Sequence, residues 1–338
     1  MMPGKQPKKR RRLAWAALLL LMAAGIFTAL VSSRFHFSNQ AFPRLARLQG
    51  NHQTRFVPDG SDPVLIGHRG AGLASTKKKG LVVGNTCNAI QAAVDAGVDW
   101  IEIDIRRSAD GQLVVFHDET IDLKTSGAGA VSELDLGQLQ SVDVLADPVE
   151  KILSLEEAFA KFHSPDRKWV LDIKAIGLKD QVLAWVNENL STGQVILFGT
   201  WEVLQEYRGC GYSLGYTAIW KNPGNRLRVL FWPSQIIRRC ESLGCDYLVL
   251  PVIFCNQSLV DEAAARRIEV WVYGTDDQRD LLHLAGRGIG GFITDHPLQA
   301  SRLFAGRGDE PRVPAKRNPT DRGGKALRGG KESRGQTK

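Results

Sequence analysis

Short apolar runs alternate with segments of helical periodicity from residue 64 onward. Nine runs rich in β-branched and aromatic residues, each bounded by turn residues, predict strands over 64–68, 100–105, 112–117, 169–174, 194–199, 213–219, 246–251, 269–274 and 290–295. Between most of them, apolar positions recur every three to four residues and predict helices over 85–97, 178–190, 233–244 and 258–267. Strands that are apolar on both faces and alternate with amphipathic helices predict a mainly parallel sheet.

One pair of predicted strands is separated only by a tight turn. The dipeptide Asp110-Gly111 favours a β-hairpin between 100–105 and 112–117. This hairpin return leaves about eight βα units over about 240 residues, which matches a (β/α)8 TIM barrel better than an open doubly wound sheet. No Gly-x-Gly-x-x-Gly motif follows the first strand, which also counts against a dinucleotide-binding sheet.

The amino-terminal region contains a long uncharged run. The run at 13–33 has 21 residues, and a helix of this length spans roughly the 30 Å hydrocarbon layer of a bilayer. Six Lys and Arg residues precede it within 1–12, so the positive-inside bias predicts a cytoplasmic amino terminus. A cleavable signal peptide is the alternative, although its apolar region is usually shorter. Both interpretations place the folded body on the exported side, periplasmic or extracellular.

Composition divides the chain into five segments. These are a basic segment, a membrane helix, a linker, a folded domain and a basic tail, over 1–12, 13–33, 34–60, 61–304 and 305–338. The tail has almost no large apolar side chains and is predicted to be disordered. The formal net charge is +8, but 1–12 and 307–338 carry +6 each, which leaves the rest at −4. Because the positive charge belongs to the two ends, nucleic acid is not the expected partner.

Ionisable residues stand at the ends of several predicted strands. The first strand is followed by His68-Arg69-Gly70, the hairpin return ends in His117-Asp118, and the last strand ends in Thr294-Asp295. In a barrel of this kind, the chemistry takes place where the strands end. Each such residue alone is more often a cap or a surface group, but their occurrence together at five strand ends predicts one shared site.

Three carboxylates are expected to face one space. Glu102 and Asp104 lie two apart on one face of their strand, and Asp172 and Lys174 have the same spacing on another. Carboxylates brought together in this way are unfavourable unless a positive charge joins them. All-oxygen ligands suit a hard divalent cation, Mg2+ or Ca2+, better than zinc. With two imidazoles, Arg69 and this lysine around it, such an ion forms a site for a phosphate ester.

Four strings carry a wider pattern across about 65–300: LIGHRGAG, NTCNAIQAAVDAGVDWIEIDIRRSADGQLVVFHDETI, LDIK and GGFITDHP. Together they resemble the glycerophosphodiester phosphodiesterase family. The resemblance implies a TIM barrel and the metal-dependent hydrolysis of glycerophosphodiesters to sn-glycerol 3-phosphate and an alcohol, a reaction of lipid and glycerol metabolism. The family's metal ligands, acid–base pair and phosphate-facing cations fall respectively on Glu102, Asp104 and Asp172, on His68 and His117, and on Arg69 and Lys174.

The chain departs from this pattern at two positions. Gly84 stands where the family's Glu-Asn-Thr triplet has Glu, so a carboxylate that would help to hold Arg69 is missing. Asp172 stands where the third ligand is normally Glu, and it reaches about one methylene less. Two other functions stay open, namely lysophospholipase D acting on membrane lysolipids and a membrane-tethered binding module with weakened catalysis. Which histidine is the acid and which the base is also open.

Overall fold

The computed structural model describes residues 63–72, 83–146, 148–218 and 233–305. The predicted membrane helix at 13–33 lies outside these residues, as do the basic segment and the linker before them and nearly all of the predicted tail. Within the described ranges, no helix is both long enough and apolar enough to cross a membrane.

The described residues form ten strands: β1 (Val64–Gly67), β2 (Trp100–Arg107), β3 (Leu113–Val115), β4 (Leu153–Ser154), β5 (Trp169–Ile173), β6 (Val195–Gly199), β7 (Ser213–Thr217), β8 (Tyr247–Pro251), β9 (Glu269–Tyr273) and β10 (Gly291–Thr294). Eight of them pair in parallel in the ring order β1-β2-β5-β6-β7-β8-β9-β10. Ile66 of β1 pairs with both Trp100 of β2 and Ile293 of β10, which closes the ring. The predicted eight-stranded barrel is therefore confirmed.

The predicted hairpin joins β2 to β3, which pair antiparallel. Gly111 at its turn has φ 86°, a conformation that glycine adopts without steric cost. The chain then passes back beside β2, where the Phe116 backbone N–H donates to the Asp104 carbonyl at 3.0 Å. The hairpin therefore returns His117, the next residue, to the level of Asp104.

Nine helices lie in the described part of the chain: α1 (Cys87–Ala96), α2 (Leu136–Ser141), α3 (Leu155–Phe162), α4 (Lys179–Asn189), α5 (Trp201–Leu204), α6 (Pro233–Leu243), α7 (Gln257–Ala265), α8 (Gln278–Ala285) and α9 (Pro297–Ala305). The four predicted helices are confirmed as α1, α4, α6 and α7. The Thr86 side chain caps α1 by accepting from the Ala89 N–H, and Gly97 ends it with φ 66°.

Alternate strand residues face the two sides of the barrel wall. The apolar side chains of the interior form one cluster: Ile66, Val170, Ile196, Phe198, Val249, Trp271 and Ile293. Gly215 leaves room for this packing, because a Cβ there would overlap the Phe198 ring. Outward-facing residues such as Leu171 pack in a second cluster with helix residues such as Val182. The interior alternation continues into acidic residues at the carboxyl ends of β2 and β5, where the site lies.

Candidate active site

Three buried carboxylates meet at the carboxyl ends of β2 and β5. Glu102 and Asp104 share the interior face of β2, and the strand register sets Asp172 of β5 directly beside Asp104. Each of the three offers an oxygen within 4.8 Å of the other two. All three residues are less than a tenth exposed to solvent. The structure thus brings the three expected ligands together, while their role as ligands stays a prediction.

Two cations contact this cluster. Lys174 Nζ lies 2.8 Å from Asp104 Oδ1 and 2.5 Å from Asp172 Oδ2, and Arg69 Nε lies 3.1 Å from Asp104 Oδ2. Burial opposes the ionisation of Asp104, but Lys174 and Arg69 hold the pKa of its carboxyl well below the usual range. Burial likewise opposes the charge on Lys174, yet Asp104 and Asp172 raise its pKa above the ordinary lysine value. Both predicted phosphate-facing cations therefore contact carboxylates.

The ionisation of Glu102 is disfavoured, unlike that of Asp104. Its Oε2 accepts the Arg69 backbone N–H at 2.6 Å. Burial, together with repulsion from Asp104 and Asp172, raises the pKa of Glu102 well above its ordinary value. By formal charge, the two cations neutralise only two of the three carboxylates. A surplus of negative charge on an all-oxygen donor set fits a hard divalent cation.

The loops after β1 and before α1 hold the site through unusual backbone conformations. Arg69 and Asn85 have φ 52° and 67°, a left-handed region that residues other than glycine rarely adopt. The Asn85 Nδ2 group donates to Asp104 Oδ2 at 2.7 Å, and its Oδ1 accepts the Asp104 N–H at 3.1 Å. A Cβ at Gly84 would lie 2.6 Å from the Arg69 Cβ. The missing side chain at position 84 therefore makes room for Arg69, and Asp104 supplies its carboxylate partner.

His117 is oriented by a carboxylate that a lysine also holds. Its Nδ1 lies 2.6 Å from Asp118 Oδ1, and Lys124 Nζ lies 3.0 Å from Asp118 Oδ2. The hydrogen bond with His117 and the contact with Lys124 lower the pKa of Asp118, which is therefore ionised. Because a carboxylate accepts, Nδ1 of His117 carries the proton and Nε2 has the lone pair. Burial lowers the pKa of His117, so its imidazole is neutral at pH 7.

His68 has a carboxylate partner of its own from the far end of the chain. Its Nδ1 lies 2.7 Å from Asp295 Oδ1, and its backbone N–H donates to the Thr294 carbonyl at 2.9 Å. The Thr294 hydroxyl donates to Asp276 Oδ1 at 2.5 Å, which connects the end of β10 to the segment after β9. Both histidines are thus presented in the same way, with Nδ1 on a carboxylate. We expect each to exchange a proton through Nε2.

An open cleft of about 700 Å3 gives access to the site. Its lining includes His117, Lys174 and, of the three carboxylates, Asp172. Arg106 lines the cleft as well, and its Nε donates to the His117 carbonyl at 2.9 Å. Ile176, with 64% of its surface exposed, adds an apolar side chain to this lining. The cleft therefore combines charged groups with apolar wall area.

Sequence reasoning missed three residues that hold the site. Asp118 directly follows His117 and Asp295 directly follows β10, so the sequence places both at strand ends but indicates no partner for either. Asn85 follows Gly84 in the triplet that departs from the family pattern. Their roles follow from contacts between segments that are distant in sequence, and a single sequence gives no direct signal for such contacts.

A family model and two known proteins match much of this chain. The sequence model of the glycerophosphoryl diester phosphodiesterase family matches residues 68–299. The glycerophosphodiester phosphodiesterase of Caldanaerobacter subterraneus subsp. tengcongensis is 25% identical over 224 residues, covering 63% of this chain and 88% of that protein. The Arabidopsis thaliana glycerophosphodiester phosphodiesterase GDPD4 is 33% identical over 236 residues, covering 65% of this chain and 69% of that protein.

A solved structure shows the same fold. A phosphodiesterase of Oleispira antarctica, determined in complex with the product sn-glycerol-3-phosphate, superposes with a TM-score of 0.58 at 22% identity. The superposition covers 71% of this chain and 97% of that one. Since the family match spans more than half of the 338 residues, the chain belongs to the glycerophosphoryl diester phosphodiesterase family, a family of phosphoric diester hydrolases.

Proposed function

We propose that the protein hydrolyses glycerophosphodiesters, releasing sn-glycerol 3-phosphate and an alcohol. The observation that carries this proposal is the arrangement of two imidazoles, each with Nδ1 on a carboxylate, at the same end of the barrel as the three-carboxylate cluster. Family membership supports it, and so does the sn-glycerol-3-phosphate bound by the Oleispira antarctica relative.

We further propose that Glu102, Asp104 and Asp172 hold a divalent cation, Mg2+ or Ca2+. Their oxygens lie within 4.8 Å of one another, and Asp172 stays within this set although it is shorter than the Glu of the family pattern. When bound, such a cation would act as a Lewis acid on a phosphoryl oxygen. Arg69 and Lys174 add two positive charges that offset negative charge developing on the phosphoryl group.

His68 and His117 supply the proton transfers. One imidazole accepts the proton of a glycerol hydroxyl as that oxygen bonds to phosphorus, and the other protonates the alcohol oxygen as its bond to phosphorus breaks. Water then opens the resulting cyclic phosphate with the two roles reversed. Asp295 and Asp118 keep the proton on Nδ1 of each ring, so each Nε2 alternates between base and acid.

Lysophospholipase D activity is the second candidate. It is favoured by the open, partly apolar cleft, in which the exposed Ile176 provides contact area for an acyl chain. Its chemistry is the same, because the lysolipid is also a glycerophosphodiester. A binding module with weakened catalysis is disfavoured, since the carboxylates, the cations and both imidazoles are all in place.

We propose that residues 13–33 anchor the domain to a membrane with the catalytic part on the exported side. The support is the 21-residue uncharged run and the basic segment before it. We expect the full-length protein to stay with membranes during alkaline carbonate extraction, and a Leu18→Arg, Leu19→Arg variant to be released. An amino terminus at residues 29–34, found by mass spectrometry on exported soluble protein, would instead establish a cleaved signal peptide.

Activity tests the proposed function. The full-length protein in detergent should release glycerol 3-phosphate from glycerophosphocholine, lose this activity with EDTA, and regain it with Mg2+ or Ca2+.

His68→Ala and His117→Ala should each lower kcat by about 100-fold or more, because each removes a proton carrier. His163→Ala is the matched control, since His163 is exposed at the end of α3. Near-normal turnover in either site variant contradicts the scheme.

Asp295 should act as a positioning residue for His68. Asp295→Ala removes the acceptor of the Nδ1 proton, so we expect kcat to fall by about 10- to 100-fold with KM little changed. Asp295→Asn keeps an acceptor oxygen and should recover part of the loss. Asp166→Ala, in an exposed turn, controls for the loss of a surface carboxylate. Steady-state kinetics on glycerophosphocholine decide the matter, and an unchanged kcat in Asp295→Ala removes Asp295 from the site.

A further inference from the structure

Lys174 lies in an unexpected place for a phosphate-binding cation. Its Nζ bridges two strands, contacting Asp104 of β2 at 2.8 Å and Asp172 of β5 at 2.5 Å. The side chain is only 14% exposed, so this ion-pair geometry is largely shielded from solvent. The ammonium therefore joins two of the three carboxylates that are the expected metal ligands.

The other oxygen of Asp104 is already in use. Asp104 Oδ2 contacts Arg69 Nε at 3.1 Å and accepts from Asn85 Nδ2 at 2.7 Å, so Oδ1 is the oxygen that remains for a further cation. That oxygen is the one Lys174 contacts. A divalent cation held by Asp104 would thus need the oxygen that the ammonium contacts, whereas at Asp172 the ammonium contacts Oδ2 alone.

We infer that the Lys174 ammonium competes with the divalent cation for Asp104 and Asp172. Its contacts hold the two carboxylates together, and a cation that binds Asp104 through Oδ1 displaces it from that oxygen. This inference rests on the proposed function, because it concerns the same metal site. Lys174 also lines the substrate cleft, so an ammonium released from the carboxylates remains beside the place where a phosphate would bind.

Removal of the lysine should change the metal affinity in a definite direction. If Lys174 only positioned the ligands, a variant without it would bind metal more weakly, because preorganisation would be lost. If Lys174 competes, the variant binds metal more tightly, because a positive charge in contact with the ligands is gone. Competition also predicts a cost in the metal-free state, where the buried carboxylates lose their partner. Metal should then stabilise the variant more than it stabilises the wild type.

Calorimetric titration of the metal-stripped full-length protein with MgCl2 or CaCl2, without substrate, tests this inference. Lys174→Met should bind the cation at least about tenfold more tightly than the wild type. Lys124→Met is the matched control, because Lys124 lies near the site but pairs with Asp118. This variant removes the same charge without changing a contact of the proposed metal ligands. Its affinity for the cation should therefore stay within about threefold of the wild type. Unchanged or weaker binding by Lys174→Met overturns the inference, as does a gain of equal size in Lys124→Met.

Thermal unfolding gives a second measure that does not depend on turnover. In chelator Lys174→Met should unfold at a lower temperature than the wild type, and added metal should raise its Tm by the larger amount. Equal shifts in the two proteins contradict competition. If Lys174→Met does not fold, Lys174→Gln keeps a hydrogen-bond donor without the charge and carries the same expectations. Failure of the proposed hydrolysis appears in the glycerol 3-phosphate assay, whereas failure of this inference appears in metal affinity.

Discussion

Repulsion among three carboxylates inside the barrel is the constraint on which the site depends. Glu102, Asp104 and Asp172 are buried within reach of one another, where separate charges are unfavourable. Positive charges and N–H donors around the cluster offset this repulsion. The left-handed backbone of Arg69 and Asn85 brings an N–H and an amide to the cluster, and Lys174 bridges two of its members. Two cations against three carboxylates leave one formal negative charge, which fits a divalent cation.

Closure of the strand ring brings the proposed catalytic groups together. His68 and Asp295 are 227 residues apart, but β1 pairs with β10, so the two side chains meet at 2.7 Å. The hairpin does the same for His117, which it returns to the level of Asp104. The topology of the barrel therefore positions the imidazoles of both histidines. Both lie at the end of the barrel where the carboxylates are.

Much of the fold could be predicted from the pattern of apolar residues. Buried parallel strands are apolar on both faces, which accounts for eight of the nine predicted runs, and the Asp110-Gly111 turn accounts for the antiparallel β3. The two-residue β4 has no pattern of its own and is not predicted. The two-residue spacing of Glu102 and Asp104 placed them on one face. The partners of individual side chains are harder to predict from sequence. Arg69 reaches Asp104 beside Gly84, which could not be predicted from residue types alone, and Lys174 turned out to contact carboxylates.

We propose that these three carboxylates form one cation site beside the two imidazoles. Anomalous diffraction from crystals soaked in Mn2+, which takes the same oxygen ligands as Mg2+, tests it most directly. We expect one strong anomalous peak in contact with oxygens of Glu102, Asp104 and Asp172, at the His68 and His117 end of the barrel. A peak held by other residues, or the absence of any peak between these carboxylates, would contradict it.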